Sequence, residues 1–409
     1  MRAQLVPATR RWTTASGLVD LPPGAAALLA VARPRLTVDG RAVLCAELAS
    51  DVDWTWLVDR ALSHGLGALL CRHLIEVAGG LVPDDIAMAA TAYSRDRASF
   101  TETAVAELAE LVDALAASGI RTLPFKGPVF GAQAYGDPSL RVFMDLDLLI
   151  AVQDITAALA VLDRLGYRSE VADLPPRRLR DYHRYNGQDA LFAAERMPVE
   201  PHWAFAPRTL SMALDPAPLW ARAGSIDVNG RALPCVAPED AMLIACLHGG
   251  KEQWTRLSWI ADVAAWMQAH VLDWTAILER ARASGLRRMV LLGARLAERL
   301  LDAALPEPLP AAIIADPAVD RLAARVRDGL FAGSVAAPSV FQFTGFRWCM
   351  RERWSDRLRY LSRTLLTARV THFRSLDLPD GLAFLYPTVR LGHDFLALPL
   401  WKILHPERT

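Results

Sequence analysis

Between Ile120 and Phe205 the apolar residues of this 409-residue chain change their period. Before that interval they return every third or fourth position, as in Trp54-Thr-Trp-Leu-Val-Asp-Arg-Ala-Leu and Leu66-Gly-Ala-Leu-Leu-Cys-Arg-His-Leu. The same helical spacing resumes beyond Pro238, in Glu239–His248, Leu257–Gln268, Trp274–Ala304 and Ala318–Leu330. Inside the interval they form short runs punctuated by Gly, Pro and Asp. A spacing near 3.6 marks a helix face and short runs mark strands, so neither a pure helical bundle nor an all-β fold accommodates the chain.

The interval reads as one strand–helix–strand module. Ile120–Phe125 is a short strand after a helix that Gly119 stops, and Lys126-Gly127-Pro128 turns into a helical stretch ending at Tyr135. Gly136-Asp-Pro-Ser is a turn and Arg141–Ile150 a strand. Asp154 caps a helix that ends at Gly166, and Asp189–Ala194 and Met197–Phe205 supply two further strands. The expected class is α+β: an α/β core with a mixed sheet, flanked by N- and C-terminal helical regions. The expected divisions are a flexible tail over 1–24, a helical region over 25–100, the core over 101–235 and a helical domain over 236–409.

Composition narrows the function. With 53% hydrophobic and 22% charged residues the chain can pack a core, and its 45 basic and 45 acidic side chains cancel, which argues against a dedicated binder of long nucleic acid. Cys45, Cys71, Cys235, Cys246 and Cys349 lie too far apart for ligand pairs and read as buried thiols in a reducing compartment. Phe395–Trp401 is too short to span a bilayer and contains Pro399, so a soluble cytoplasmic protein without a membrane partner is expected. Only Lys126, Lys251 and Lys402 are lysines among the 45 basic residues, which makes each of them a pointer.

The sharpest motif is Asp145-Leu146-Asp147-Leu148. Side chains alternate along a strand, so both carboxylates project to one side about 7 Å apart, with Phe143, while Met144, Leu146 and Leu148 face the core. Two such acids repel unless a cation lies between them, and divalent ions are their natural counter-charge. Asp-x-Asp also occurs at solvated strand ends, so the context decides. Lys126-Gly127 precedes the pair in a turn able to cradle phosphate, and Val199-Glu200-Pro201-His202-Trp203 offers a third carboxylate.

Phe125-Lys-Gly-Pro, Tyr135-Gly-Asp-Pro-Ser-Leu-Arg141, Asp145-Leu-Asp-Leu-Leu, Leu165-Gly-Tyr167 and Val199-Glu-Pro-His-Trp203 together resemble a bacterial family of uncharacterised nucleotidyltransferases within the DNA polymerase beta-like superfamily. The resemblance covers about residues 50–300, with His248, Trp254, Leu257 and Asp262 matching the family's helical segment. It implies a two-ion Mg²⁺ site on Asp145, Asp147 and Glu200, with Glu200 completing the second ion's shell or taking the acceptor's proton. It also implies that Lys126, Gly127 and Arg141 bind a nucleoside triphosphate, ATP being expected, and that AMP passes to a hydroxyl or phosphate of a small molecule or modified peptide, in natural-product biosynthesis. Two departures stand out. Pro128 replaces the usual second Gly or Ser and removes an N–H donor, and the third acid is Glu rather than Asp. A non-catalytic nucleotide- or peptide-binding partner, or phosphoryl transfer on the same frame, are the alternatives.

Other residues admit two readings each. His202 supports the metal ligands or is packed beside Trp203. His248 complements a helix C-terminus or acts in catalysis, and Lys251 contacts the acidic site or that helix end. Asp262 orients His248, binds substrate or pairs with Arg256. The arginines from Arg347 to Arg363, interleaved with Trp348, Trp354 and Tyr360, suit RNA stacking or an amphipathic helix.

Overall fold

A computed structural model describes residues 11–14, 17–20, 24–50, 52–77, 79–212, 214–331, 340–376, 378–379 and 381–394. Strands β1 (Arg11–Thr14) and β2 (Gly17–Asp20) form an antiparallel hairpin. Residues 1–10, 15–16 and 21–23, Phe395–Trp401 and Lys402 lie outside the described residues. Helices α1 (Ala25–Val31), α2 (Val38–Leu48), α3 (Trp54–Ser63) and α4 (Gly67–Val77) precede the long α5 (Asp84–Ala117). α5 ends at Ser118 and Gly119, whose φ of 75° is the left-handed stop expected there.

The core module then runs β3 (Thr122–Pro124), α6 (Gly127–Tyr135), β4 (Leu146–Ile150), α7 (Ile155–Arg164), β5 (Arg168–Ser169), α8 (Pro176–Asn186), β6 (Leu191–Phe192) and β7 (Val199–His202). Its five strands lie in the order β3-β4-β7-β6-β5, with β4 and β7 parallel and the other pairs antiparallel. The sheet is mixed, as expected. A second hairpin, β8 (Gly224–Val228) and β9 (Arg231–Cys235), follows.

The returning helical pattern becomes α9 (Pro238–Lys251), α10 (Leu257–Ala269), α11 (Trp274–Ser284), α12 (Arg287–Leu301), α13 (Leu309–Ile314), α14 (Ala318–Leu330), α15 (Val340–Cys349), α16 (Trp354–Leu366), α17 (Val370–Ser375) and α18 (Tyr386–Gly392). The run expected from Trp274 to Ala304 is two helices, because Gly285 adopts φ 71° and closes α11. Helices before and after the sheet share one apolar core: Leu28 and Val31 of α1 belong to the same buried cluster as Ile260 of α10 and Leu292 of α12. The turn between α9 and α10 is pinned by Trp254, which is fully buried; a Cβ on Gly249 would lie 2.4 Å from its ring, so only glycine fits there. No described helix is long and apolar enough to cross a membrane.

Three local expectations are corrected. The strand expected over Arg141–Ile150 begins only at Leu146, because a 3₁₀ turn at Pro138–Leu140 and the anchoring of Arg141 elsewhere hold the first half out of the sheet. Met144 is therefore 70% exposed rather than in the core, while Phe143 turns inward against Phe100. Cys349, at the last position of α15, is exposed; Cys71, Cys235 and Cys246 are buried as expected, and all five thiols are free.

The aromatic–arginine interleaving of α15 and α16 serves the chain itself. Arg351 is buried with its guanidinium 3.8 Å from the Tyr360 ring centroid, and Arg357 lies over Trp348 and Trp354. These are cation–π contacts within the fold, in keeping with the amphipathic reading.

Candidate active site

The site follows from the β4–β7 register. These strands pair in parallel with Asp147 opposite Glu200 and Leu149 opposite His202. Paired residues of adjacent strands share a face, and so do residues two apart on one strand, so Asp147, Glu200 and His202 project together. Lys126 arrives from the β3–α6 junction and its Nζ donates to Asp147 Oδ1 at 2.8 Å. His202 Nε2 lies 2.9 Å from the same oxygen and 3.3 Å from Glu200 Oε2. Gln188 donates to Glu200 Oε2 at 2.8 Å. Gly127 opens α6 with φ 53°, a conformation costly for any side chain-bearing residue, so the turn that presents Lys126 needs its glycine.

Electrostatics separates the two aspartates. Burial pushes the Asp147 carboxyl up, but the Lys126 ammonium and His202 outweigh it and hold the group well below the usual range. Asp145 sits one residue before β4 without such a bond. Burial, then the adjacent Asp147 charge, push its carboxyl up to about 6, with Lys126 opposing only in part. Burial also pushes the His202 imidazole down, and its contacts with Asp147 and Glu200 reverse this and raise it. Yet Nε2 is buried without a well-aligned hydrogen bond: the carboxylates are close but off the line of N–H donation.

That orphaned nitrogen is the test of whether the residues suit a cation, and they do. The ligand atoms of Asp147, Glu200 and His202 all lie within 4.8 Å of one another, a mixed oxygen and nitrogen donor set compatible with a divalent ion. Asp145 stands outside this trio. Another group, His372, His393 and Asp394, does not pass the same test. His372 Nδ1 accepts the Arg369 N–H at 2.9 Å, so in the neutral ring Nε2 carries the proton that it donates to Asp394.

A cleft of about 460 Å³ opens beside Asp145 and Asp147, lined also by Lys126, Arg141, His248 and Glu252. Arg141 does not hang free in it. Its Nε donates to Asp262 Oδ2 at 3.0 Å, its guanidinium lies over the Phe130 ring, and Tyr135 OH donates to Asp262 Oδ1 at 2.9 Å. Asp262 thus bonds neither to Arg256 nor to His248, because the loop after Pro138 brings Arg141 to it first. His248 packs edge-on against Trp259, and burial, followed by the Lys126 and Lys251 charges, holds its imidazole far below the ordinary range. A ring held towards its neutral form gives little to a helix dipole. Lys251 pairs with Glu252 at 3.4 Å on the rim.

Asp262→Ala is expected to cost about 3–5 kcal/mol, since it strands a buried guanidinium and leaves the Tyr135 hydroxyl without its acceptor. Urea unfolding measures this, and a midpoint unchanged from wild type would show the triad to be dispensable. Sequence reading missed Gln188 and Tyr135 as members of these networks. Gln188 belongs to no motif in the sequence; it enters the site because it bridges antiparallel to His202, on the strand that carries Glu200.

Fold and site together define an α+β protein whose mixed sheet gathers acids on two adjacent strands beside a glycine turn that bears a lysine. Residues 50–302 match the model of the family described as uncharacterised nucleotidyltransferase, and the chain belongs to that family. No curated protein matches the chain.

Proposed function

We propose that the chain moves a nucleoside monophosphate, AMP from ATP, onto a hydroxyl or phosphate of a small molecule or modified peptide, in cytoplasmic natural-product biosynthesis. The β4–β7 register carries this reading, because it sets Asp147 against Glu200 and His202 within reach of Lys126. Asp145, Asp147 and Glu200, with His202 beside them, are the residues to hold divalent ions, Mg²⁺ in the first instance. Such ions supply charge neutralisation of the triphosphate and alignment of the attacking and leaving oxygens.

The chain's own groups do the rest. Lys126 offers an ammonium to phosphate, and Gly127 lets the backbone approach it. Glu200, fixed by Gln188, accepts the proton of the attacking acceptor oxygen. That oxygen bonds to the α-phosphorus, the bond from the α-phosphorus to the bridging oxygen breaks, and pyrophosphate leaves with the electron pair. Arg141 holds the cleft wall through Asp262 and faces the same space. A cleft of this volume lies in the range that encloses a nucleotide.

Incubation with each α-³²P-labelled triphosphate and candidate acceptors, beside the Asp147→Asn variant, tests the proposal. Label moved by wild type alone supports it. Transfer from γ-labelled ATP only would make the protein a phosphoryl transferase, and tight binding without turnover would make it a non-catalytic partner. Lys126→Arg is expected to raise KM for the triphosphate about tenfold although charge is kept, because a planar guanidinium replaces a compact ammonium in a tight turn. An unchanged KM would remove Lys126 from nucleotide binding.

A further inference from the structure

The cleft beside Asp145 and Asp147 has walls of two kinds. The β3–α6 junction and the loop before β4 bring Lys126, Asp145 and Asp147, groups suited to phosphate and metal. The start of α10 and the turn before it bring Trp259 and Arg256, and α9 adds His248. The proposed transfer makes no use of this second wall.

Its groups are held in place and left with bonding capacity to spare. Trp259 is half-buried: it packs against the main core and still lines the cleft. His248 meets it edge-on, with ring centroids 5.5 Å apart and planes at 89°, which steadies the indole. Arg256 is exposed, and its guanidinium lies 5.8 Å from the Trp259 ring centroid. Arg256 forms no ion pair or side-chain hydrogen bond with a described residue, and neither ring nitrogen of His248 has a hydrogen-bond partner among them. Lys126 and Arg141 differ, being tied to Asp147 and Asp262. An imidazole held towards its neutral form offers one N–H and one bare nitrogen.

A flat ring with polar atoms along its edge satisfies all three groups. One face stacks on the indole, the other takes the guanidinium, and the edge reaches the imidazole. A ring stacked between the two needs about 7 Å, twice the ~3.5 Å contact distance, so the Arg256 side chain has to lift by about 1 Å. Its exposure and lack of bonded partners leave it free to do so. A nucleoside triphosphate carries such a ring at one end and, at the other, the phosphates that the first wall suits. One cleft of about 460 Å³ serves both walls.

We infer that the nucleobase of the triphosphate stacks on Trp259 beneath Arg256 with its edge on His248, and that this wall favours a purine, whose fused rings cover more of the indole than a pyrimidine does. The assignment rests on the reading of this cleft as a nucleotide site; it does not rest on the transfer step.

Isothermal titration of the full chain in Mg²⁺ tests it, with ATP, UTP and inorganic tripolyphosphate, which has no base, as the probes. Wild type binds ATP more tightly than UTP, and both more tightly than tripolyphosphate. Trp259→Leu, its folding checked by a melting curve, weakens ATP about tenfold or more, the scale of one lost base-stacking ring, and leaves tripolyphosphate unchanged. Trp259→Phe keeps a ring and most of the affinity. Arg256→Gln, at an exposed position compatible with folding, weakens ATP about threefold and spares tripolyphosphate. Tripolyphosphate binding as tightly as ATP, or Trp259→Leu weakening both alike or neither, overturns the base site. Arg256→Gln weakening both alike overturns the place of Arg256 over the base. An ATP affinity indifferent to Trp259→Leu, with an acceptor KM that rises, would give this wall to the acceptor and overturn the inference. If no probe binds, the base site and the transfer reading fall together. If ATP behaves as expected but no α-label moves to any acceptor, the transfer reading falls and the base site stands. If label moves and Trp259→Leu leaves the KM for ATP unaltered, the base site falls alone.

Discussion

Asp147→Asn is expected to abolish nucleotidyl transfer, by a factor on the order of 10²–10³, and to weaken the folded state as well. Both effects come from one oxygen. Asp147 Oδ1 takes the Lys126 ammonium at 2.8 Å and lies 2.9 Å from His202 Nε2, in a side chain that is nearly inaccessible. Asparagine keeps the shape and removes the charge. It takes from Lys126, whose side chain is only 16% exposed, its hydrogen-bonded counter-ion, and from His202 the contact that keeps its imidazole protonated more readily. Breaking a buried pair from one side costs about 3–5 kcal/mol. The double variant Asp147→Asn/Lys126→Met separates the roles: it should regain most of the lost stability in urea and none of the transfer. Recovery of neither, or of both, would contradict the assignment of Asp147 as the shared partner of lysine and metal.

Asp145→Asn should have effects of opposite sign on stability and on activity. Its carboxyl has no hydrogen-bonded cation, and burial together with the neighbouring Asp147 charge raise it to about 6. An acid raised in the folded state favours folding below its unfolded value near 3.9, and that contribution is lost as pH climbs through the folded value. At pH 7 the ionised group therefore opposes folding. The neutral amide removes the opposition and should add about 1–3 kcal/mol in metal-free protein, while transfer falls on the order of 10²-fold. Melting curves between pH 4 and pH 8 in the presence of chelator give the readout. Wild type loses stability relative to the variant across pH 4–6 and stays below it at pH 7. A variant no more stable than wild type at pH 7 would show that Asp145 is not held against its charge.

Much of this arrangement is legible in the residues. Period alone separates the helical flanks from the sheet, Ala318–Leu330 is a helix over those very residues, and Lys126-Gly127 with Asp147 and Glu200 does mark the place where charges gather. What escaped depends on which strand lies beside which. His202 could be read as packed or as metal-facing until β7 was placed parallel to β4 in one register, and no local pattern sets that register across some fifty residues. The partner of Asp262 is hidden for a similar reason: Arg141, 121 residues away, reaches it through a loop that reads as the start of a strand. Gly285 lies inside the apolar periodic run from Trp274 to Ala304, and its positive φ splits that run.

The core that α1 shares with α12 has a consequence for how the chain is made. α1 cannot complete its burial until α12, more than two hundred residues later, has been synthesised and has folded beside it. Closing so long a loop is entropically costly, and topologies dominated by distant contacts fold slowly. During synthesis the N-terminal helices therefore wait with apolar faces open, a natural target for chaperones, and the central module matures between two halves of a core that closes last.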